Sequence, residues 1–137
     1  MPAKSGSFVL DASALMAYYS AEAPGDRVKE WLHKAVRNPP TVFISVVSLA
    51  EVAMVVEKHS GLAASAAMLA RTAQLPIEIV PLEYDSAVQA AHFQAVYSLP
   101  FASACAAVTA LEKRRPLLTT DQAFEAVRQV IQVERLD

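Results

Sequence analysis

The chain has 137 residues, 54% of them hydrophobic, and a net charge of −2 at neutral pH. Its length predicts one domain, residues 1–137, with a sizeable core, and the small negative charge argues against a protein that coats nucleic acid through bulk charge. Cys105 is the only cysteine, which excludes a disulfide framework and a cysteine-based zinc site. No apolar run approaches the roughly 18–20 residues of a membrane helix, and the first residues lack a secretory signal pattern. We therefore expect a cytoplasmic protein without membrane contact.

Short β-rich runs alternate with helical patterns along the chain. Strands are predicted at residues 7–11, 41–45, 77–80, 116–120 and 130–133, and helices at 12–20, 25–37, 46–60, 62–74, 84–97 and 103–114. Gly61 is placed to end the third helix as a C-terminal cap. Strands that alternate with helices predict parallel βαβ units with right-handed crossovers. The expected fold class is an α/β sandwich, with helices covering both faces of the sheet.

Two aspartates follow predicted strands directly. Asp11 separates an apolar strand from an apolar helix in "SFVLDASALMAYY", and Asp121 follows the fourth strand in "PLLTTD". Each could simply cap the helix that comes after it, since Asp is a favoured N-cap. The carboxyl ends of parallel strands, however, meet at one edge of the sheet, where binding sites form in such folds. Both aspartates are therefore also candidates for a site at that edge.

Glu51 is the third unusual carboxylate. In "SVVSLAEVAMVVEK", every position from Val46 to Val56 is apolar or small except Ser48 and Glu51. A helix that is apolar nearly all round is predicted to be buried, so Glu51 is expected away from an ordinary solvated face. This helix follows the second strand, which puts its first half at the edge that carries the two aspartates. Three converging carboxylates repel one another, and a hard cation such as Mg²⁺ or Mn²⁺ would resolve the repulsion.

Four segments resemble, in order, the signatures of the PIN domain family, and specifically of VapC-type toxins from toxin–antitoxin modules. They are "FVLDASALMAYY", "ISVVSLAEVAMV", "LPFASACAAVTALEK" and "PLLTTDQAFEAV", and the resemblance spans about residues 7–134. It implies a parallel five-stranded sheet and a metal-dependent endoribonuclease that cleaves RNA. It also implies that the metal-binding and catalytic acids are Asp11, Glu51 and Asp121, with supporting hydroxyls at Ser13 and Thr119. The expected partners are a VapB-type antitoxin that covers the acidic edge and a second copy of the chain in a homodimer.

One position departs from the family pattern. The family normally has a further Asp eighteen residues before the last acid, and this chain has Ser103 there. Ser103 could cap the predicted helix or hold a metal-bound water, but it carries no charge. Loss of a metal-site group weakens metal binding or activity. The alternative interpretation is therefore a PIN fold with a degenerate acidic site, acting as a binding module with weak or no nuclease activity.

Other folds and residue clusters fit the sequence less well. A haloacid-dehalogenase-type phosphatase needs an acid where the chain has Ser13, a receiver-like module lacks its first acidic pair, and the isolated glycines exclude a nucleotide-binding loop. The basic cluster "EKRR" at 112–115 precedes the fourth strand, so we expect a solvated helix end at the opposite edge of the sheet. Tyr18, Tyr19 and Trp31 form an aromatic group that packs in the core or contacts a partner. The three histidines show no ligand spacing.

Overall fold

A computed structural model describes residues 7–21, 23–35 and 42–137, without the side chains of residues 34 and 35. The strands are β1 (Phe8–Leu10), β2 (Val42–Ser45), β3 (Ile77–Val80), β4 (Leu117–Thr119) and β5 (Val133–Arg135). They form one sheet in the order β3-β2-β1-β4-β5, and every neighbouring pair is parallel. The predicted parallel five-stranded sheet is confirmed.

Helices cover both faces of this sheet, as the α/β sandwich prediction requires. They are α1 (Ala12–Tyr19), α2 (Ala23–Ala35), α3 (Val46–Ser60), α4 (Leu62–Ala73), α5 (Tyr84–Tyr97), α6 (Phe101–Lys113) and a 3-10 helix (Gln122–Val127). Successive strand residues point to opposite faces. Val9 and Leu117 therefore pack with α5 and α6, whereas Leu10 and Leu118 pack with α1 to α4. The core is thus divided by the sheet into two apolar layers.

Helix α2 begins at Ala23 rather than at residue 25 and β5 ends at Arg135 rather than at residue 133. Two further boundaries differ from the prediction for local reasons. Helix α6 begins at Phe101 rather than at residue 103, because Pro100 has an extended backbone and stands at the N-cap. Strand β5 begins at Val133 rather than at residue 130, because the backbone N–H groups of Val130 and Ile131 still bond back to the 3-10 helix. The predicted end of the second helix at residue 37 lies outside the described residues.

Gly61 ends α3 as predicted. Its φ of +95° lies in the region that favours glycine, and its N–H donates to the Glu57 carbonyl at 2.8 Å. Beyond it, α4 folds back along α3. The chain thus reverses at Gly61, which makes α3 and α4 neighbours.

Helix α3 is not the buried helix that its composition predicted. Its buried residues are Ser48, Leu49 and Val52, whereas Met54 is 48% exposed. Several of its other apolar side chains line a surface groove between α1, α3 and α4 instead of entering the core. This groove, called here the α3–α4 groove, has a volume of about 580 Å³, and its apolar residues include Val52, Val55, Val56, Ala64, Ala67 and Met68.

The aromatic group is divided between two contacts. Trp31 packs against Phe8 with ring centroids 4.7 Å apart, while Tyr18 and Tyr19 contact each other at 5.0 Å. All three lie half-buried and pack against the core layer beneath α1 and α2, and Tyr19 also lines the α3–α4 groove. Cys105 is buried as well, and burial raises the pKa of its thiol.

Membrane-spanning potential is restricted to one bent pair of helices. Within residues 7–21, 23–35 and 42–137, no single helix combines the length and apolarity needed to cross a membrane. Helices α5 and α6, bent by 114° at their junction, meet that criterion only when taken together. Helix α6 is mostly buried inside the protein, as a core helix is.

Candidate active site

Asp11 sits at the junction of β1 and α1 and is only 5% exposed. Its Oδ1 accepts hydrogen bonds from the Ala14 backbone N–H at 2.9 Å and from the Ser13 hydroxyl at 2.7 Å. Its Oδ2 accepts one from the Thr119 hydroxyl at 2.6 Å. Asp11 therefore does cap α1, as the simpler interpretation predicted, but the cap uses only one of its two oxygens. The other oxygen faces a residue from a different strand.

The two hydroxyls connect Asp11 to the segment that follows β4. Strand β4 pairs with β1, which brings the fully buried Thr119 beside Asp11. The Thr119 hydroxyl oxygen accepts the Asp121 backbone N–H at 2.8 Å, and the Ser13 hydroxyl oxygen accepts the Thr120 backbone N–H at 2.9 Å. Each hydroxyl thus donates to Asp11 and accepts from residues 120–121. This network fixes the orientation of the Asp11 carboxylate.

The protonation of Asp11 is shifted by its surroundings. Burial raises the pKa of the Asp11 carboxyl above its ordinary value, because the charged form loses hydration. Hydrogen bonds from Thr119, Ser13 and Ala14 act in the opposite direction, and the nearby negative charge of Asp121 adds to the rise. A cation beside Asp11 would favour its charged form. None of the described residues places a positive charge beside Asp11 that would stabilise its carboxylate.

Asp121 and Glu51 are less constrained than Asp11. Asp121 is exposed and caps the 3-10 helix through Oδ1, which accepts the Ala123 N–H at 2.9 Å. Its Oδ2 accepts no hydrogen bond from the described residues. Glu51 is exposed, contrary to the prediction of burial, and forms neither a hydrogen bond nor an ion pair with any residue in the described ranges. Both side chains therefore keep carboxylate oxygens free for a ligand.

All three predicted acids line one cavity, called here the acidic cavity, with a volume of about 140 Å³. Its walls also include hydroxyls and apolar side chains, and the full lining is Asp11, Ala12, Ser13, Met16, Ser48, Glu51, Ala102, Ser103, Ala106, Asp121 and Phe124. Thr119 lies behind Asp11 and does not line it. Within the part of the chain that the structure describes, no three His, Cys, Asp or Glu side chains are close enough together to hold a metal ion directly.

The donor set of the acidic cavity nevertheless fits a hydrated hard cation. Its polar groups are carboxylate and hydroxyl oxygens, the ligands that Mg²⁺ and Mn²⁺ prefer. Mg²⁺ commonly keeps several waters and binds through one or two carboxylates, so a tight cluster of acids is not required. The cavity has room for several waters at about 30 Å³ each. Asp11 and Asp121 would hold such a cation, with Glu51 acting through water.

Three serines line the cavity: Ser13, Ser48 and Ser103. Ser103 lies in the first turn of α6, three residues after the N-cap Pro100, so it does not cap the helix, which was one of the two roles left open by the sequence. Ser48 is 1% exposed and was given no role from the sequence. Its spacing from Glu51 was the available signal, because residues three apart share one face of a helix. The cavity wall thus carries three neutral hydroxyls beside its three carboxylates.

A five-stranded parallel α/β sandwich with carboxylates gathered at the carboxyl edge of its sheet defines the class of this protein. A family model for the PIN domain matches residues 8–130, and the chain belongs to that family. The resemblance to the PIN domain family is thereby confirmed. No curated protein sequence matches the chain.

Several solved structures share this fold. The chain is similar to a toxin–antitoxin complex from Klebsiella pneumoniae, with 20% identity, a TM-score of 0.70 and coverage of 96% of this chain and 98% of that one. It is similar to VapC20 of Mycobacterium tuberculosis, described as a Sarcin-Ricin loop cleaving toxin, with 19% identity, a TM-score of 0.70 and coverage of 88% and 95%. DNA-bound VapBC from Salmonella typhimurium gives 16% identity, a TM-score of 0.74 and coverage of 96% and 98%. At these identities the likeness is one of fold.

Proposed function

We propose that the chain is a VapC-like toxin, a Mg²⁺- or Mn²⁺-dependent endoribonuclease that hydrolyses RNA phosphodiester bonds in the cytoplasm. The observation that carries the proposal is the acidic cavity, in which carboxylates from three separate segments meet at the carboxyl edge of the sheet. Membership of the PIN domain family supports it, as does the likeness in fold to a toxin that cleaves the sarcin-ricin loop. The proposed metal-binding and catalytic residues are Asp11, Glu51 and Asp121.

Two of the acids have distinct proposed tasks. A divalent cation, when bound, would supply an acidified water and neutralise charge on the phosphodiester. Asp11 holds the cation, because Thr119, Ser13 and Ala14 fix its carboxylate. Glu51 is unpaired and exposed, so its carboxylate is available to accept a proton from the attacking water.

Cleavage of structured RNA tests this function. The purified chain is incubated with RNA in Mn²⁺, in Mg²⁺ and in EDTA, beside Asp11→Asn and the control Asp85→Asn. Asp85 is an exposed residue in the first turn of α5 and does not line the acidic cavity. We expect Mn²⁺-dependent cleavage that EDTA removes and that Asp11→Asn lowers by about 100-fold or more. Full activity in EDTA or in Asp11→Asn would overturn the proposal.

A second function is favoured by one observation. Ser103 lines the cavity where the family pattern has an Asp, so the site has one negative charge fewer than that pattern. The second candidate is a PIN-fold binding module without nuclease activity. RNA that binds but stays intact in every metal would support this candidate against the enzyme.

We propose a VapB-type antitoxin as a partner, since VapBC complexes are among the structures of similar fold. The α3–α4 groove suits an amphipathic helix, because its walls are largely apolar. Met16 lines both this groove and the acidic cavity, so the two are adjacent. A segment that leaves the groove could therefore present an Arg to the carboxylates, whose geometry its guanidinium matches.

Co-purification with the antitoxin from the native operon tests this surface. Ala67→Asp puts a charge into the groove, and Ala66→Asp puts the same charge on the next exposed residue of α4, outside the groove. We expect only Ala67→Asp to lose the antitoxin, and equal retention by both variants would contradict the proposed surface. Light scattering of the free chain separately tests the proposed homodimer, which a strict monomer would refute.

A further inference from the structure

Ser48 differs from every other buried polar residue in the described ranges. Those residues are Asp11, Ser45, Ser48, Ser65, Thr72, Thr109 and Thr119. Each of the others has a hydrogen-bond partner: the Ser65 hydroxyl, for example, donates to the Ala53 carbonyl at 2.8 Å, and the Thr109 hydroxyl donates to the Cys105 carbonyl at 2.9 Å. The Ser48 hydroxyl has no partner among the described residues. Among the described residues the one fully buried side-chain oxygen without a partner is Glu134 Oε2, so the Ser48 hydroxyl is accessible from a cavity. A nearly buried hydroxyl that has no protein partner calls for an explanation.

The cavity beside Ser48 explains why its hydroxyl has no protein partner. Its side chain lines the acidic cavity, together with Asp11 and Glu51. Ser48 precedes Glu51 by three residues on α3, so both side chains lie on the same face of the helix. A water in the cavity needs about two to four polar partners, and these three side chains provide them. The missing partner of Ser48 is thus a molecule inside the cavity.

The cavity favours water over an anion as that molecule. Ser48 is 1% exposed, so a bulky phosphate has little access to its hydroxyl. The ionisable groups that line the cavity are carboxylates, which repel anions and attract cations with their hydration water.

We propose that Ser48 is a positioning residue whose hydroxyl binds a water in the hydration shell of the divalent cation. The inference rests on the proposed function, because it assumes that this cavity takes a cation. It gives the neutral Ser48 hydroxyl in the cavity wall a function that the three acids do not have. Ser48 would fix the water, and through it the cation, relative to Asp11 and Glu51.

Mn²⁺ titration by calorimetry and urea unfolding in EDTA test the role of Ser48 on the full chain. Ser48→Ala removes the unpartnered hydroxyl, whereas the control Ser65→Ala removes a buried hydroxyl that has a partner. We expect Ser48→Ala to weaken Mn²⁺ binding about 10-fold or more and to leave stability in EDTA unchanged or higher. Ser65→Ala is expected to lower stability in EDTA and to bind Mn²⁺ like the wild type.

The outcomes separate this inference from the function on which it rests. If the wild type binds Mn²⁺, Asp11→Asn does not, and Ser48→Ala binds like the wild type, the role of Ser48 is refuted and the metal site stands. If the wild type binds no Mn²⁺, both proposals fail. Should Ser48→Ala not fold, Ser48→Cys gives the same test, because a thiol has similar size but hydrogen-bonds weakly. Wild-type affinity in Ser48→Cys would then overturn the inference.

Discussion

The two edges of the sheet differ in whether their charged side chains have ion-pair partners. At the amino edge, the Lys113 ammonium lies 3.6 Å from the Glu78 carboxylate and above the Phe43 ring. Arg115 donates there to the carbonyls of Lys113 and Arg114, near the end of α6. At the carboxyl edge, no Lys or Arg within the described ranges pairs with any acid of the cavity. The predicted helix end at 112–115 is confirmed, and the Lys113 charge is paired with Glu78, whereas Arg115 bonds only to neutral oxygens.

This contrast indicates where binding is expected. The Lys113–Glu78 pair at the amino edge already has both charges matched, and an exposed pair of this kind adds little stability. At the carboxyl edge, the buried Asp11 carboxylate loses hydration and lies near the negative charge of Asp121, which disfavours its charged form until a positive group arrives. Asp11 is the clearest case, since burial raises its pKa although three donors surround it. We therefore expect the carboxyl edge to be the edge at which an external cation stabilises the protein.

The largest effect is expected when one more acid is added to the carboxyl edge. Ser103→Asp puts a carboxylate into the acidic cavity, and Asp is well tolerated in the first turn of a helix. We expect Mn²⁺ binding to tighten and RNA cleavage to rise by about 10-fold or more, with greater toxicity when the variant is expressed without an antitoxin.

Ser98→Asp is the control for Ser103→Asp. It adds the same charge at an exposed position outside the cavity. Equal metal affinity and equal cleavage in wild type and Ser103→Asp would mean that Ser103 does not face a functional metal site.

How far the sequence predicts this contrast depends on the element. Asp11 and Asp121 follow strands directly, and parallel strands must share an edge, so their convergence could be predicted. The exposure of Glu51 could not be predicted, because an apolar pattern does not tell core contact from a surface groove, and α3 has both. Ser48 was missed for a related reason, since a small polar residue in an apolar helix looks like core until its missing partner is seen. The start of β5 could not be predicted either, because it depends on where the preceding 3-10 helix ends.

The pH dependence of stability tests the uncompensated charge directly. The folded pKa of Asp11 is raised above the ordinary value of 3.8, so between these two pKa values the native state binds more protons than the unfolded state. The free energy of unfolding therefore falls as pH rises through this window and levels off above the folded pKa.

Asp11→Asn lacks this titration and shares all the others. Subtracting its unfolding free energy in EDTA from that of the wild type, across acid to neutral pH, isolates the contribution of Asp11. We expect the difference to fall with rising pH, and Mg²⁺ to restore part of it at neutral pH. A difference that grows with pH would mean that Asp11 is already stabilised as an anion, and the contrast between the edges would fail.

The smallest effect is expected at the amino edge. Lys113→Met removes the ion pair with Glu78 and keeps an apolar side chain over Phe43, so the free energy of unfolding should fall by less than about 1 kcal/mol. RNA cleavage and Mn²⁺ affinity should stay within about two-fold of the wild type, since the pair is surface-exposed and lies at the other edge of the sheet. Glu51→Gln, measured beside it, removes one charge from the carboxyl edge and should lower cleavage strongly. A large loss of cleavage in Lys113→Met, with its fold intact, would show that the basic cluster contacts RNA and that both edges of the sheet serve the reaction.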